Sequence, residues 1–437
     1  MNAPRTTGCP VVHGSPVGDD EARVAMYVPE FAADPHAAYR RMRARYGSLV
    51  PVELDPGVPA TLVVGYRTAL RILNDPEHFP ADPRIWQQSV PDECPVKPML
   101  MYRRNALRTA GEEHARLRRA YSVLGDVDEN RLLAAVDGAV EPLINRFRAQ
   151  GCVDLRAEYV FPAVFGVLSD LMGLPADLAS RTYDGMAKIM DGVDAAAGER
   201  EFGAALFEAV QLKQAHPGGS DLMSRLMAHS ADLTVEEVVM QVALPFAAGC
   251  EPTVNLVCNA LRLLMSDERF AGDVLGGSLT TRDALDEVLF TDPPLPNFGI
   301  TYPRQPILVD GVWLPAHQPV VISYAACNND PEIAGGDRAG NRSHLAYGAG
   351  VHRCPATSMV LVIAIHIIDQ LLDAFPDLRL GVAPEELRYR TGIFHRALAA
   401  LPAAFDPVHQ DMELAMTSLL APRTRPDRKT PPWQPTD

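Results

Sequence analysis

Cys354 stands in a setting that could do chemistry. It follows the stretch His344-Leu345-Ala346-Tyr347-Gly348-Ala349-Gly350-Val351-His352-Arg353, precedes Pro355, and lies between a strand-rich region and an apolar helical run. Gly348 and Gly350 permit the positive φ of a tight loop, and such a loop can aim several N–H groups at one atom. Pro355 suits the first position of a helix. A thiolate there would meet the positive end of a helix dipole and accept backbone hydrogen bonds, and both effects favour its ionised form. A soft anionic sulfur with one open side suits the axial position of a haem iron. A cysteine beside a turn is ordinarily just a small buried apolar residue. The stronger reading needs the aromatic residue, the Gly-x-Gly, the histidine two places before the cysteine and the apolar helix after it.

Other elements must position that loop. Asp34 and Pro35 open a helix as N-cap and first residue, and Gly47 stops it after Tyr46. Leu49 to Leu54 and Ala60 to Val64 flank an Asp55-Pro56-Gly57 turn and read as a hairpin. Tyr66 to Leu73 is helical, and residues 80 to 105 read as a long loop of functional interest. From Glu112 to about Met265 apolar residues recur at spacings of three and four. Val235 to Met265 is apolar nearly all round, as a central buried helix would be. Ile307 to Val309, Val312 to Leu314 and Val320 to Ile322 read as short strands, and Thr357 to Phe375 as a helix. His114 and Arg118, four apart, share one helix face, an arrangement also common on solvated faces. The expected fold class is mainly α with a minor β-rich part.

The chain has 437 residues, 47% of them hydrophobic, enough for a core that encloses a bulky cofactor. A net charge of −15 repels phosphate backbones and anionic lipid, so neither nucleic acid nor membrane is expected as a partner. Met1 to Asp20 has no apolar h-region. The run Met359 to Ile368 is broken by His366 and is too short to span a bilayer, so a cytoplasmic location is expected. The seven cysteines show no paired spacing, which argues against disulfides and CxxC zinc sites. Residues 1 to 30 read as a loose arm, 31 to 408 as one domain, and 409 to 437 as a disordered Pro- and Arg-rich tail.

The 344–355 loop resembles the cytochrome P-450 haem loop, usually Phe-Gly-x-Gly-x-His-x-Cys-x-Gly, with Tyr347 for the Phe and Ala356 for the last Gly. The similarity runs from about Phe31 to Phe405. It implies a cytochrome P-450 fold: a single domain with haem b buried between the central helix and the Cys-proximal helix, and Cys354 as the iron ligand. Glu113 to Arg119 resembles the family's C-helix, which implies that His114 and Arg118 hold the haem propionates, joined by His352. A third propionate arginine is expected near Thr301-Tyr302-Pro303-Arg304, with Arg304 the nearest candidate.

Two motifs depart from the family. The central-helix pattern Ala-Gly-x-Asp/Glu-Thr reads Ala248-Gly249-Cys250-Glu251-Pro252-Thr253 here. Glu251 keeps the acid that relays protons, while Pro252 stands at the hydroxyl. Proline cannot donate to the Ala248 carbonyl and clashes with it, so a kink and a widened groove are expected. Thr253 lies one residue along, about 100° round the helix, as the remaining hydroxyl. The Glu-x-x-Arg motif ends in Phe290 after Glu287; Phe290 is expected to fill the space apolarly and Glu287 to bond Arg338 or backbone N–H groups. A minority bacterial branch shares this loss.

The resemblance implies a haem-thiolate monooxygenase that oxidises a small organic substrate with dioxygen. No dinucleotide fingerprint or iron–sulfur cysteine cluster is present, so electrons are expected from a separate ferredoxin and ferredoxin reductase. Arg103, Arg104, Arg108, Arg116, Arg119 and Arg353 are the expected basic docking patch. Pro252 and Phe290 keep two alternatives open, a non-catalytic haem-binding or signalling protein and a peroxide-driven haem enzyme.

Overall fold

The computed structural model describes residues 23–191, 194–267, 280–333 and 340–408. The β-rich part is a five-stranded sheet. Strand β1 (Val24–Ala25) runs parallel to β2 (Leu49–Glu53), which forms the expected hairpin with β3 (Pro59–Val63). The sheet continues through two later strands, Val320–Ile322 and Gly299–Thr301. Val24–Ala25 and the start of the short helix Pro29–Ala33 fall within residues 1 to 30. Helix α1 (Pro35–Tyr46) is capped as expected, with the Asp34 carboxylate accepting from the Ala37 N–H at 2.8 Å, and α2 (Tyr66–Leu73) follows the hairpin.

Helices carry the rest. They include α3 (Gly111–Ala120), α4 (Glu129–Phe147), α5 (Phe161–Met172), α6 (Ala176–Asp191) and α7 (Ala195–Ala215). The central run is α8 (Val235–Leu244), a π-turn over Pro245–Cys250, and α9 (Glu251–Ser266). Helix α10 (Thr281–Thr291) bears Phe290, and α11 (Thr357–Ala374) follows the cysteine loop. One continuous core joins α4, α5, α9, α10 and α11 through Val136, Val164, Val257, Leu285 and Ile367. Helix α11 is long and apolar enough to cross a membrane by composition alone, but it packs into this core through Ile363, Ala364, Ile367, Ile368 and Leu371.

The expected single central helix is interrupted, and two prolines account for the break. Pro245 has no N–H to offer the Gln241 carbonyl four residues back, and the Tyr121 hydroxyl donates to that oxygen instead at 2.6 Å. Pro252 comes seven residues after Pro245, just beyond the π-turn. A π-turn inserts one extra residue per turn and bulges the backbone. The kink expected from Pro252 therefore spreads over Pro245–Cys250. The Gln241 side chain pins this bend to α3: its amide donates to Leu117 O at 2.8 Å and its carbonyl accepts from Ala106 N at 3.0 Å.

Candidate active site

The π-turn and the first residues of α9 form one part of the wall of an apolar cavity, and the cysteine loop and the start of α11 form another. Ala248, Gly249, Pro252 and Thr253 line the first, and Tyr347, Cys354, Ala356 and Met359 the second. The loop is held tight by its glycines. Gly348 and Gly350 have φ of 69° and 67°. A Cβ on Gly350 would come within 2.0 Å of the Leu73 carbonyl oxygen, so no other residue fits there. The Cys354 N–H donates to Tyr347 O at 2.9 Å, which closes the loop beneath the cavity.

Helix α11 begins at Thr357 with Ala356 as N-cap, two residues later than Pro355 suggested. Burial pushes the Cys354 thiol above its ordinary range, and the Ala356 N–H, the Thr357 hydroxyl, Arg118 and Arg353 oppose it. The hydrogen bonds expected from the loop are present and favour the thiolate, while burial opposes them. A coordinated metal cation would reverse the balance, since it deprotonates a thiol outright.

His114, Arg118 and His352 gather at one edge of the cavity, as the sequence led us to expect. The two imidazoles stack with centroids 4.0 Å apart. His114 is buried, and its Nε2 has no partner. Burial, then His114 and Arg108, push His352 down to about 3, so both histidines are neutral donors or acceptors here. Arg118 lines the cavity and donates Nη2 to Arg353 O at 2.6 Å. Arg304 lies elsewhere. It is exposed, its Nε donates to Glu77 O at 2.8 Å, and it does not line the cavity, which does not fit the propionate role expected for it.

Thr253 lines the cavity, but its hydroxyl donates to Gly249 O at 2.7 Å. Glu251 is buried beside the cavity without lining it. Its Oε1 accepts from Arg156 at 3.3 Å and Arg390 at 3.4 Å, while Oε2 is buried without a partner.

Phe290 is buried and packs edge-on against His344, with centroids 5.4 Å apart. The acid taking an arginine pair is Asp286, which accepts from Arg282 Nε at 2.9 Å and Arg342 Nε at 3.0 Å. The Asp286 pair was not anticipated from the sequence; the Arg282–Asp286 spacing of four was the available signal. Arg338 lies outside the described residues. Asp286→Asn is expected to weaken the hold of α10 on the residues leading into the cysteine loop by roughly 1–3 kcal/mol, given the charged hydrogen bonds lost and the partly exposed arginines. Thermal unfolding of the holoprotein checks this, and an unchanged midpoint would refute it.

The donor set suits haem b. One cysteine opens into an apolar slot, and nitrogen donors line one edge where carboxylates would lie. Among the described residues no group of three His, Cys, Asp or Glu could hold a bare metal ion. No family model matches the chain. It is 30% identical over 392 residues to the cytochrome P-450 monooxygenase PikC of Streptomyces venezuelae, an alignment spanning 85% of this chain and 91% of PikC.

The chain belongs to the cytochrome P-450 family.

It is also 26% identical to the vitamin D(3) 25-hydroxylase of Pseudonocardia autotrophica, over 86% of this chain and 95% of that protein. Among solved structures it resembles CYP154C4 from Streptomyces, with a TM-score of 0.79 and 27% identity over 88% of this chain and 98% of that one. CYP154A1 from Streptomyces coelicolor gives 0.75 and 26%, over 85% and 98%. The mainly α fold with small sheets, the haem b cofactor with cysteine ligation, and the assignment as a haem-dependent oxidoreductase of the monooxygenase type follow.

Proposed function

We propose that this cytochrome P-450 oxidises a small, uncharged, apolar molecule with electrons supplied by a ferredoxin and its reductase in the cytoplasm. The wall facing Cys354 carries the reading of substrate. Val164, Leu168, Met172, Leu244 and Leu295 line it with no charged side chain among them, so a buried ionic group would find no partner there. One relative is named for hydroxylating vitamin D3, itself a largely apolar molecule. The haem, when bound, supplies the redox chemistry that activates dioxygen.

The protein's part is to hold and to move protons. Cys354 ligates the iron, and His114, Arg118 and His352 hold the propionate edge. Glu251 is a proton reservoir tied to Arg156 and Arg390, with Oε2 free to meet a water beside the cavity. Thr253 closes the Gly249 carbonyl in the cavity wall. Product carrying one atom of labelled dioxygen, formed from a neutral apolar compound with ferredoxin, reductase and nicotinamide cofactor, tests this reading. Product formed solely from added peroxide would support the peroxide-driven alternative, which the engaged Thr253 hydroxyl favours. Absence of turnover with either oxidant would support a haem-binding module.

Of the six arginines expected to form the docking patch, two are exposed without a salt bridge among the described residues. Arg103 pairs with Glu199, Arg104 with Glu236 and Arg116 with Glu237, while Arg108 is buried. Arg119 and Arg353 remain exposed, near the end of α3 and beside the cysteine. Reversing both to Glu is expected to slow reduction by an acidic ferredoxin about tenfold at low salt and to flatten its salt dependence. Stopped-flow reduction rates measured against ionic strength decide it; unchanged rates would place docking elsewhere.

A further inference from the structure

Arg108 is 3% exposed, and no carboxylate pairs with it among the described residues. Its Nη2 donates to Met99 O at 2.7 Å, and its guanidinium lies 5.1 Å from the centre of the Phe298 ring. One carbonyl and one aromatic face use little of a group with five N–H donors and a full charge. Taking a guanidinium out of water without a counter-charge is strongly unfavourable. The other surface charges next to it in sequence, Arg103 and Arg104, each have an acid partner. Among the described residues Arg108 therefore stands out as a buried cation without a carboxylate partner.

Its position says where that partner sits. Ala106 and Leu107, immediately before it, line the haem cavity, as do Phe298 and Tyr324 beside it. Its charge also reaches His352. Arg108 itself does not line the cavity but lies directly behind Ala106, Leu107 and Phe298, so that two guanidinium groups, Arg108 and Arg118, and the stacked imidazoles of His114 and His352 gather around one side of the slot with no acid among them. Haem b carries two carboxylates on one edge of its ring.

We propose that Arg108 is an anchoring cation for a carboxylate at the rim of this cavity, namely a haem propionate. It supplies the charge that Arg304, turned outward onto Glu77, does not. Phe298 serves as the platform that holds the guanidinium plane in place, and the Met99 carbonyl fixes its far end. The proposal rests on the haem site described above. The same chemistry could be met by the carboxylate of an acidic ligand in the distal pocket, and the experiment distinguishes the two.

The holoprotein is compared with Arg108→Gln and Arg108→Lys. Haem transfer to excess apomyoglobin gives the release rate, and resonance Raman bands of propionate bending report hydrogen bonding to the carboxylates directly. Arg108→Gln is expected to speed haem release on the order of tenfold or more, shift the propionate bands and make the iron's reduction potential more negative. Arg108→Lys, which keeps the charge, is expected to recover part of all three. Faster release in both variants with unmoved propionate bands would mean that Arg108 only supports the loop, and would overturn the proposal. Unchanged release in Arg108→Gln, with loss of the spin-state response to a long-chain fatty acid but not to its neutral alcohol, would assign Arg108 to a substrate carboxylate and equally overturn it. An unmodified protein purified without a haem Soret band would instead bring down the haem reading on which the proposal stands.

Discussion

Cys354→Ser is expected to abolish the thiolate form of the reduced carbon monoxide spectrum, with no residual band at the thiolate position. A serine oxygen is a harder ligand that stays protonated in a pocket where burial already pushes the more acidic thiol upward. Cys250, Cys258 and Cys327 are buried, and burial raises each of their thiols beyond the physiological range. None of them lines the haem cavity, so their serine variants are expected to keep the signature. The surrounding loop makes Cys354→Ser a clean test. Its shape depends on Gly348, Gly350 and the Cys354 N–H, none of which the substitution alters. An unchanged spectrum in Cys354→Ser would overturn the ligand assignment.

The elements that bear this loop were legible because they rest on local rules. Asp34 and Gly47 mark the ends of α1 through capping chemistry, and Asp55-Pro56-Gly57 announces the β2–β3 turn. The cysteine loop was legible because its residues are dictated by backbone conformation and by the ligand, which leaves little freedom in spacing. The same holds for His114 and Arg118, whose separation of four is imposed by the helix.

What the sequence hid depends on partners far away along the chain. Nothing local tells that Pro245 frees the Gln241 carbonyl for Tyr121, 120 positions earlier. Arg116 reads as a surface charge until Glu237 is seen beside it, and Arg108 does so until Phe298 covers it. Long flexible cations look the same in sequence whether they are solvated, paired or waiting for a ligand. Burial separates these cases, and burial is set by tertiary packing. The Asp286 pair was hidden for a similar reason. With Phe290 in the arginine's place, the acid that reaches Arg342 is the one on the adjoining helix face.

Pro252→Thr is expected to change how the enzyme spends its electrons more than any other single substitution in the distal wall. In the unmodified protein the proline ring occupies the cavity wall where the family places a hydroxyl. The neighbouring Thr253 hydroxyl is committed to Gly249 O, and Glu251 is held by Arg156 and Arg390 outside the cavity. A proton reaching the cavity must therefore cross by water without a fixed donor in the wall. Positioned general acids contribute about 10²–10⁴-fold, so most reducing equivalents are expected to emerge as hydrogen peroxide. Threonine at 252 restores an N–H that can close onto the Ala248 carbonyl and a hydroxyl that faces the cavity. Product formed per electron is expected to rise severalfold, with peroxide falling in step. The substitution also removes one of the two prolines bracketing Pro245–Cys250, so the π-turn could tighten. Pro245 stays and still denies Gln241 its helical partner, which preserves the first half of the bend. Measuring nicotinamide oxidation, peroxide and product together gives the coupling ratio directly. Thr253→Val supplies the control: if that hydroxyl only closes the Gly249 carbonyl, coupling changes little. Tight coupling in the unmodified enzyme, collapsing in Thr253→Val, would show instead that Thr253 already delivers the proton and that Pro252 serves only to set the bend.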